Sequence, residues 1–221
     1  MPAATLAGLE QLLTGLYDLS IDCRVEDFLV TERQQLPGDC RDAPGDEQLF
    51  VATAGGELCM SLFLDPQLLE RLQAHDPIDG LDQHNVADCL AAIEGISHFL
   101  CVAHNAGHDR PISLLTLELQ AEIDKYVACF LLLRRQDPHR FPAELHPLLF
   151  RQARIDPALA AGREPLYRRA SRYAARFCAK LEPRLRTLCR SGRGNWQGEL
   201  RRFYRLTDLG KLRHIERMQA A

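Results

Sequence analysis

Five residues near the middle of this chain have side chains that move protons or hold a cation: Glu94, His98, Glu118, Glu122 and Lys125. Helical positions about four, seven and eleven residues apart share one stripe. From residue 94 that stripe reads Glu94, His98, Cys101, Asn105 and His108, and further on Glu118, Glu122, Lys125 and Cys129 fall on another. A short turn near Asp109 separates the two helices, so they fold back as an antiparallel pair. Counting outward from that turn sets His98 level with Glu118 and Glu122, and Glu94 level with Glu122 and Lys125.

An imidazole among carboxylates is a general acid/base set whose pKa values respond to burial. It is also a donor set for a divalent metal, with His98, Glu118 and Glu122 as the ligands. Di-metal sites of helical bundles use Glu-x-x-His on each of two helices. Here the motif is Glu-x-x-x-His and occurs once, so the spacing does not favour a metal cofactor. The structural alternative is a satisfied polar seam in which Glu122 and Lys125 are an i,i+3 pair. His104 and His108 lie nearer the turn and would extend either kind of site.

A second constellation is basic. Arg169, Arg172, Arg176 and Lys180 share one helical stripe, and Leu166, Ala170, Tyr173, Phe177 and Leu181 form an apolar one. Downstream, Arg201, Arg202 and Arg205 accompany Trp196, Phe203 and Tyr204, and Lys211, Arg213 and Arg217 follow. The planar guanidinium fork suits phosphate and carboxylate, and aromatics among basic residues stack on bases. Docking of the basic helices on the chain's own acidic part, and plain solvation, compete with that reading. No helix-turn-helix, zinc-finger or RNP signature accompanies the patch, so any polyanion is held without a sequence code.

Charge is divided along the chain. Residues 1–133 hold 6 Lys/Arg against 22 Asp/Glu, residues 134–221 hold 21 against 8, and the total is −3. This divides the chain into an acidic part, 1–133, and a basic part, 134–221, with one continuous domain as the alternative.

The elements that must position these groups are mostly helices. Apolar spacing predicts helices over 5–17, a short stretch after Asp65-Pro66, 86–106, 113–135, about 143–154, about 165–182 ending at Pro183, a further short one, 196–206 and 208–218. Asn85 and Asp88 suggest a capping box, and Gly107 a C-terminal cap. Two apolar runs, 48–53 and 58–64, flank Gly55-Gly56 and read as a β-hairpin with Leu58, Met60, Leu62 and Leu64 on one face. Residues 25–31 suit strand or helix, and 35–47 read as loop. The fold class expected is α+β, mainly α: a helical array with a small β-hairpin packed on it.

With 221 residues and 46% hydrophobic content, the chain has enough material for a sizeable core. No Lys or Arg occurs before Arg24, which argues against a secretory signal. The charge-free run 127–133 is too short to cross a bilayer. The eight cysteines lack C-x-x-C spacing and read as reduced core residues of a cytoplasmic protein. Phosphate-loop, dinucleotide, zincin and serine-hydrolase motifs are absent, and adjacent Ser97 and His98 diverge by about 100° around a helix. The function expected is a cytoplasmic binding or regulatory module. Its Arg-rich C-terminal helices engage nucleic acid or an acidic protein, and the acidic part modulates access. The alternative is a helical enzyme built on the Glu/His cluster, with or without a divalent metal.

Overall fold

Leu6, Leu9, Leu13 and Leu16 recur at helical spacing and are buried along one face of α1 (Pro2–Tyr17). The helix ends at Asp18, whose φ of 55° puts it in the left-handed region that a short polar side chain tolerates. These positions come from a computed structural model, which describes residues 2–36, 38–41, 45–152 and 162–217. The expected loop at 35–47 and the expected helix ends at 154 and 218 fall partly outside the described residues.

Residues 25–31 serve as both helix and strand: a 3-10 turn, Val25–Phe28, runs into β1 (Leu29–Val30). β2 (Glu47–Ala54) and β3 (Glu57–Leu64) pair antiparallel around Gly55 and Gly56, whose φ values of 61° and 88° suit a two-residue hairpin turn. β1 lies parallel to β3, with Leu29 opposite Leu62, so the expected hairpin is a three-stranded sheet in the order β1-β3-β2. Two residues are too few to show a strand period. The expected one-faced alternation along β3 also gives way to a gradient. Leu58 is exposed and Met60 half-buried, while Leu62, Phe63 and Leu64 are all buried. Phe63, on the opposite face, is covered by the Arg33 guanidinium 4.6 Å from its ring centre.

α2 (Pro66–Ala74) starts with Asp65 accepting from the Gln67 N–H. α3 (Val86–Ala106) has Asn85 as its first flanking residue, but the expected capping box does not form. The Asn85 amide instead ties the preceding loop, bonding Asp82, His75 and Gly80, and Asp88 takes the Arg71 fork. α4 (Leu114–Gln136) begins at Ser113, whose hydroxyl accepts from the Thr116 N–H. α5 (Leu145–Pro147) passes directly into a π-helical turn, Leu148–Gln152.

α6 (Glu164–Ser191) runs through Pro183, where the sequence reading ends it. An interior proline costs about 3 kcal/mol. Leu181, Leu185 and Leu188 are buried on either side of it, and each contributes about 2 kcal/mol by burial, so continuing the helix is favoured. Gly192, with φ 67°, ends it by donating to the Leu188 carbonyl. α7 (Gln197–Tyr204) and α8 (Asp208–Arg217) complete the array. The fold is α+β and mainly α, and one hydrophobic core runs from Leu6 to Ile215.

α3 is long and apolar enough to cross a membrane by length and composition, and among the described residues no other helix is. In this fold it packs against α1, α2, α4 and the sheet, so its apolarity is accounted for by the core.

Candidate functional site

α3 and α4 pack as the expected antiparallel pair, and His98 faces Glu118 as counted, whereas Glu122, expected level with His98, turns to Lys125. His98 Nε2 lies 3.8 Å from Glu118 Oε2, and Lys125 Nζ is 3.0 Å from Glu94 Oε2. Glu122 also pairs with Lys125, so this carboxylate is engaged one turn away from the imidazole. Ligand atoms of Glu94, His98 and Glu118 lie within 4.8 Å of one another and form a group able to hold a metal ion. Glu122, expected among the ligands, is outside that group, and Glu94 is inside it.

One member escaped the sequence reading. Glu47, the first residue of β2, brings Oε1 to 3.7 Å from His98 Nδ1. Its only trace in the sequence is Gly95, a glycine inside a helix, which leaves room for the sheet to approach α3.

The cluster perturbs its own titration. Burial disfavours the His98 imidazolium, but Glu47, Glu118 and Glu94 outweigh it and hold the group at about 9. Burial pushes Glu118 up to about 7 and raises Glu47 as well. Glu94 is also penalised by burial, yet Lys125 and His98 hold it below the usual carboxylate range. The Lys125 ammonium is disfavoured by burial and stabilised more strongly by Glu94 and Glu122, so its pKa rises. His98 Nε2 and Glu47 Oε1 are buried without a hydrogen-bond partner. Chemically this is a half-dry acid/base set with unspent donor capacity.

Behind it lies a second polar group that the sequence did not announce. Tyr17, Ser97 and the Gln120 amide all donate to Asp124, Ser97 at 2.5 Å and Gln120 at 2.9 Å. Lys211 of α8, 2% exposed, donates to Gln120 Oε1 at 2.7 Å. Ser97 therefore points to Asp124 while its neighbour His98 points to the carboxylates, the divergence expected of adjacent helical residues. His104 sits near this second group, not near His98. Burial and then His108 and Arg205 push it down to about 4, and its ring lies 5.4 Å from that of Tyr204.

Of the basic residues, Arg169, Arg172, Arg176 and Lys180 are exposed on α6, with the apolar face of that helix turned onto α4. Tyr173 stands between the Arg169 and Arg176 guanidinium groups, 5.7 and 5.9 Å from its ring centre. Arg201 and Arg205 are engaged at the end of α1. Arg201 donates to the Leu16 and Gly15 carbonyls and Arg205 to that of Asp18. Cations at a helix C-terminus are favoured by the dipole. Arg202 is exposed. An open groove of ≈ 580 Å³ beside Arg184 and Glu199 contains their 3.5 Å ion pair and adds no free cation.

No protein-family model matches this chain, and neither curated proteins nor solved structures give a significant match.

Proposed function

We propose that this protein is a cytoplasmic binding module that holds a nucleic-acid strand along the exposed basic stripe of α6. One observation carries the reading. Among the described residues, Arg169, Arg172, Arg176 and Lys180 have no carboxylate partner, although the chain carries 30 Asp and Glu. Neutralisation by the chain's own acidic part accounts for Arg201, which lies 3.8 Å from Asp18, but leaves the stripe unpaired. Eleven residues of helix rise about 16 Å, so the four cations form a linear array suited to a chain of phosphates. Cys89, Cys101, Cys129, Cys178 and Cys189 are buried, where a reduced thiol packs as a small hydrophobe, which supports a reducing compartment.

The test is a binding titration of the intact protein with mixed-sequence single- and double-stranded oligonucleotides at two salt concentrations. Each phosphate neutralised contributes a slope of about −0.9 on duplex and about −0.7 on single strands. A slope worth about three or four phosphates is expected, falling by about two in Arg172→Glu/Arg176→Glu. Absence of binding at low salt, or a slope indifferent to that substitution, overturns the reading.

A further inference from the structure

The distances around His98 are too long for hydrogen bonds and too short for groups with nothing to share. Its Nδ1 and Nε2 stand 3.7 and 3.8 Å from carboxylate oxygens of Glu47 and Glu118. A hydrogen bond between such atoms closes at about 2.7–2.9 Å. Two donors each about 2.1 Å from one ion are about 3.4 Å apart at a tetrahedral angle and about 4.2 Å apart across it. Nε2 and Glu118 are therefore spaced as two ligands of one ion. Glu94 offers a carboxylate oxygen within 4.8 Å of a His98 ring nitrogen and of Glu118, near enough to close on the same ion as a third ligand. His98 is 91% buried, at 9% exposure, and its Nε2 has no hydrogen-bond partner.

We infer that His98 Nε2, Glu94 and Glu118 bind one divalent transition-metal ion, and that Glu47, 3.7 Å from Nδ1, closes onto Nδ1–H to orient the imidazole when the ion is held. One imidazole nitrogen cannot share an ion with the other, because they point to opposite sides of the ring. Nδ1–H facing a carboxylate is the arrangement that selects the tautomer leaving Nε2 free for a metal. Lys125 fixes Glu94 through Oε2, which leaves the other carboxylate oxygen to the ion. Charge supports the assignment. Among the described residues, the ion pairs of Glu47, Glu94, Glu118 and Glu122 are with Lys125 and His98, and a dication offsets the excess of negative charge. One nitrogen with carboxylate oxygens suits manganese or zinc better than calcium. The Glu94 side chain, 30% exposed, is on the solvent side and gives the ion a way in. The inference is independent of the basic stripe on α6.

The experiment titrates the chelator-treated full-length chain with Mn²⁺ and Zn²⁺ by calorimetry, with circular dichroism checking the fold of each variant. One ion per chain is expected, with affinity reduced at least 100-fold in His98→Ala and in Glu118→Gln. Glu47→Gln, which removes no ligand, is expected to weaken binding by about 10–100-fold. If either ligand variant fails to fold, Co²⁺ in the parent chain provides the readout, since nitrogen and oxygen ligation in a closed site gives visible bands that free aqueous Co²⁺ lacks. No stoichiometric binding, binding that survives both folded ligand variants, or Co²⁺ bound with the aqueous spectrum overturns the inference.

Discussion

Gly95 and Glu47 are matched: a Cβ built on Gly95 would stand 2.8 Å from Glu47 Cγ, so the helix lacks a side chain where the sheet delivers its carboxylate. The same Cβ would be 2.9 Å from Leu62 Cδ1. Glycine inside a helix costs about 1 kcal/mol relative to alanine, and here that cost permits contact between β2 and α3.

Gly95→Ala is therefore expected to destabilise the protein by about 1–3 kcal/mol through overpacking, despite its better helix propensity. Gly15→Ala in α1, where a Cβ meets nothing within 4 Å, should stabilise it by about 0.5–1 kcal/mol. Urea denaturation of both variants measures the opposite signs.

For the metal-free protein, the His98 imidazolium is expected to titrate near 9 by NMR and to move toward 6.5 in Glu47→Gln. Its folded pKa lies above the unfolded value, so the folded state binds more protons between them. The stability it contributes is complete below pH 6.5 and is lost as pH rises through about 9. Glu118, raised to about 7, adds in the same direction at the lower end of that window. Thermal midpoints measured from pH 6.5 to 9 should fall. A midpoint that rises across that range contradicts the assignment.

His104 acts with the opposite sign. Burial and neighbouring cations depress it to about 4, so its contribution is present above pH 6.5 and is lost as pH falls through 4. His104→Phe should flatten the acid limb of the stability profile while leaving the alkaline limb unchanged.

Asp124→Ala leaves the Tyr17 and Ser97 hydroxyls and the Gln120 amide without their shared acceptor. A loss of about 3 kcal/mol or more is expected in chemical denaturation. Asp124→Asn, which keeps one acceptor oxygen, should cost less. Equal losses in the two variants would place the effect in packing.

Arg201→Ala is expected to cost about 1 kcal/mol by removing donors from the α1 carbonyls of Gly15 and Leu16. Arg172→Ala, on an exposed position without an ion-pair partner among the described residues, should leave stability within about 0.5 kcal/mol. Paired denaturation curves distinguish the structural arginine from the one available to a ligand.

Much of the molecule was legible in the chain because its signals are local. The β2–β3 turn follows from Gly55-Gly56, α3 from its apolar spacing, and the facing of His98 with Glu118 from helical period and a short turn. α6 was cut short at Pro183 because the local cost of proline is visible in sequence, whereas the burial of Leu185 and Leu188 that offsets it is not. Residues 25–31 stay open between strand and helix in sequence because two residues have no period, and β3 supplies the partner that makes Leu29–Val30 a strand.

By itself the sequence determined the fold class, the pairing of α3 with α4 and the division of charge, since each depends on period, turn chemistry or composition along a short stretch. Only the tertiary structure decided that Glu47 reaches His98, that Lys211 is buried against Gln120, and that Arg201 is occupied while Arg172, among the described residues, is not. Those contacts join residues separated by 51, 91 and 185 positions or more in the chain, and no local propensity encodes them. They exist because burying the core from Leu6 to Ile215 brings distant polar groups to the same place, where each must find a partner or remain unsatisfied.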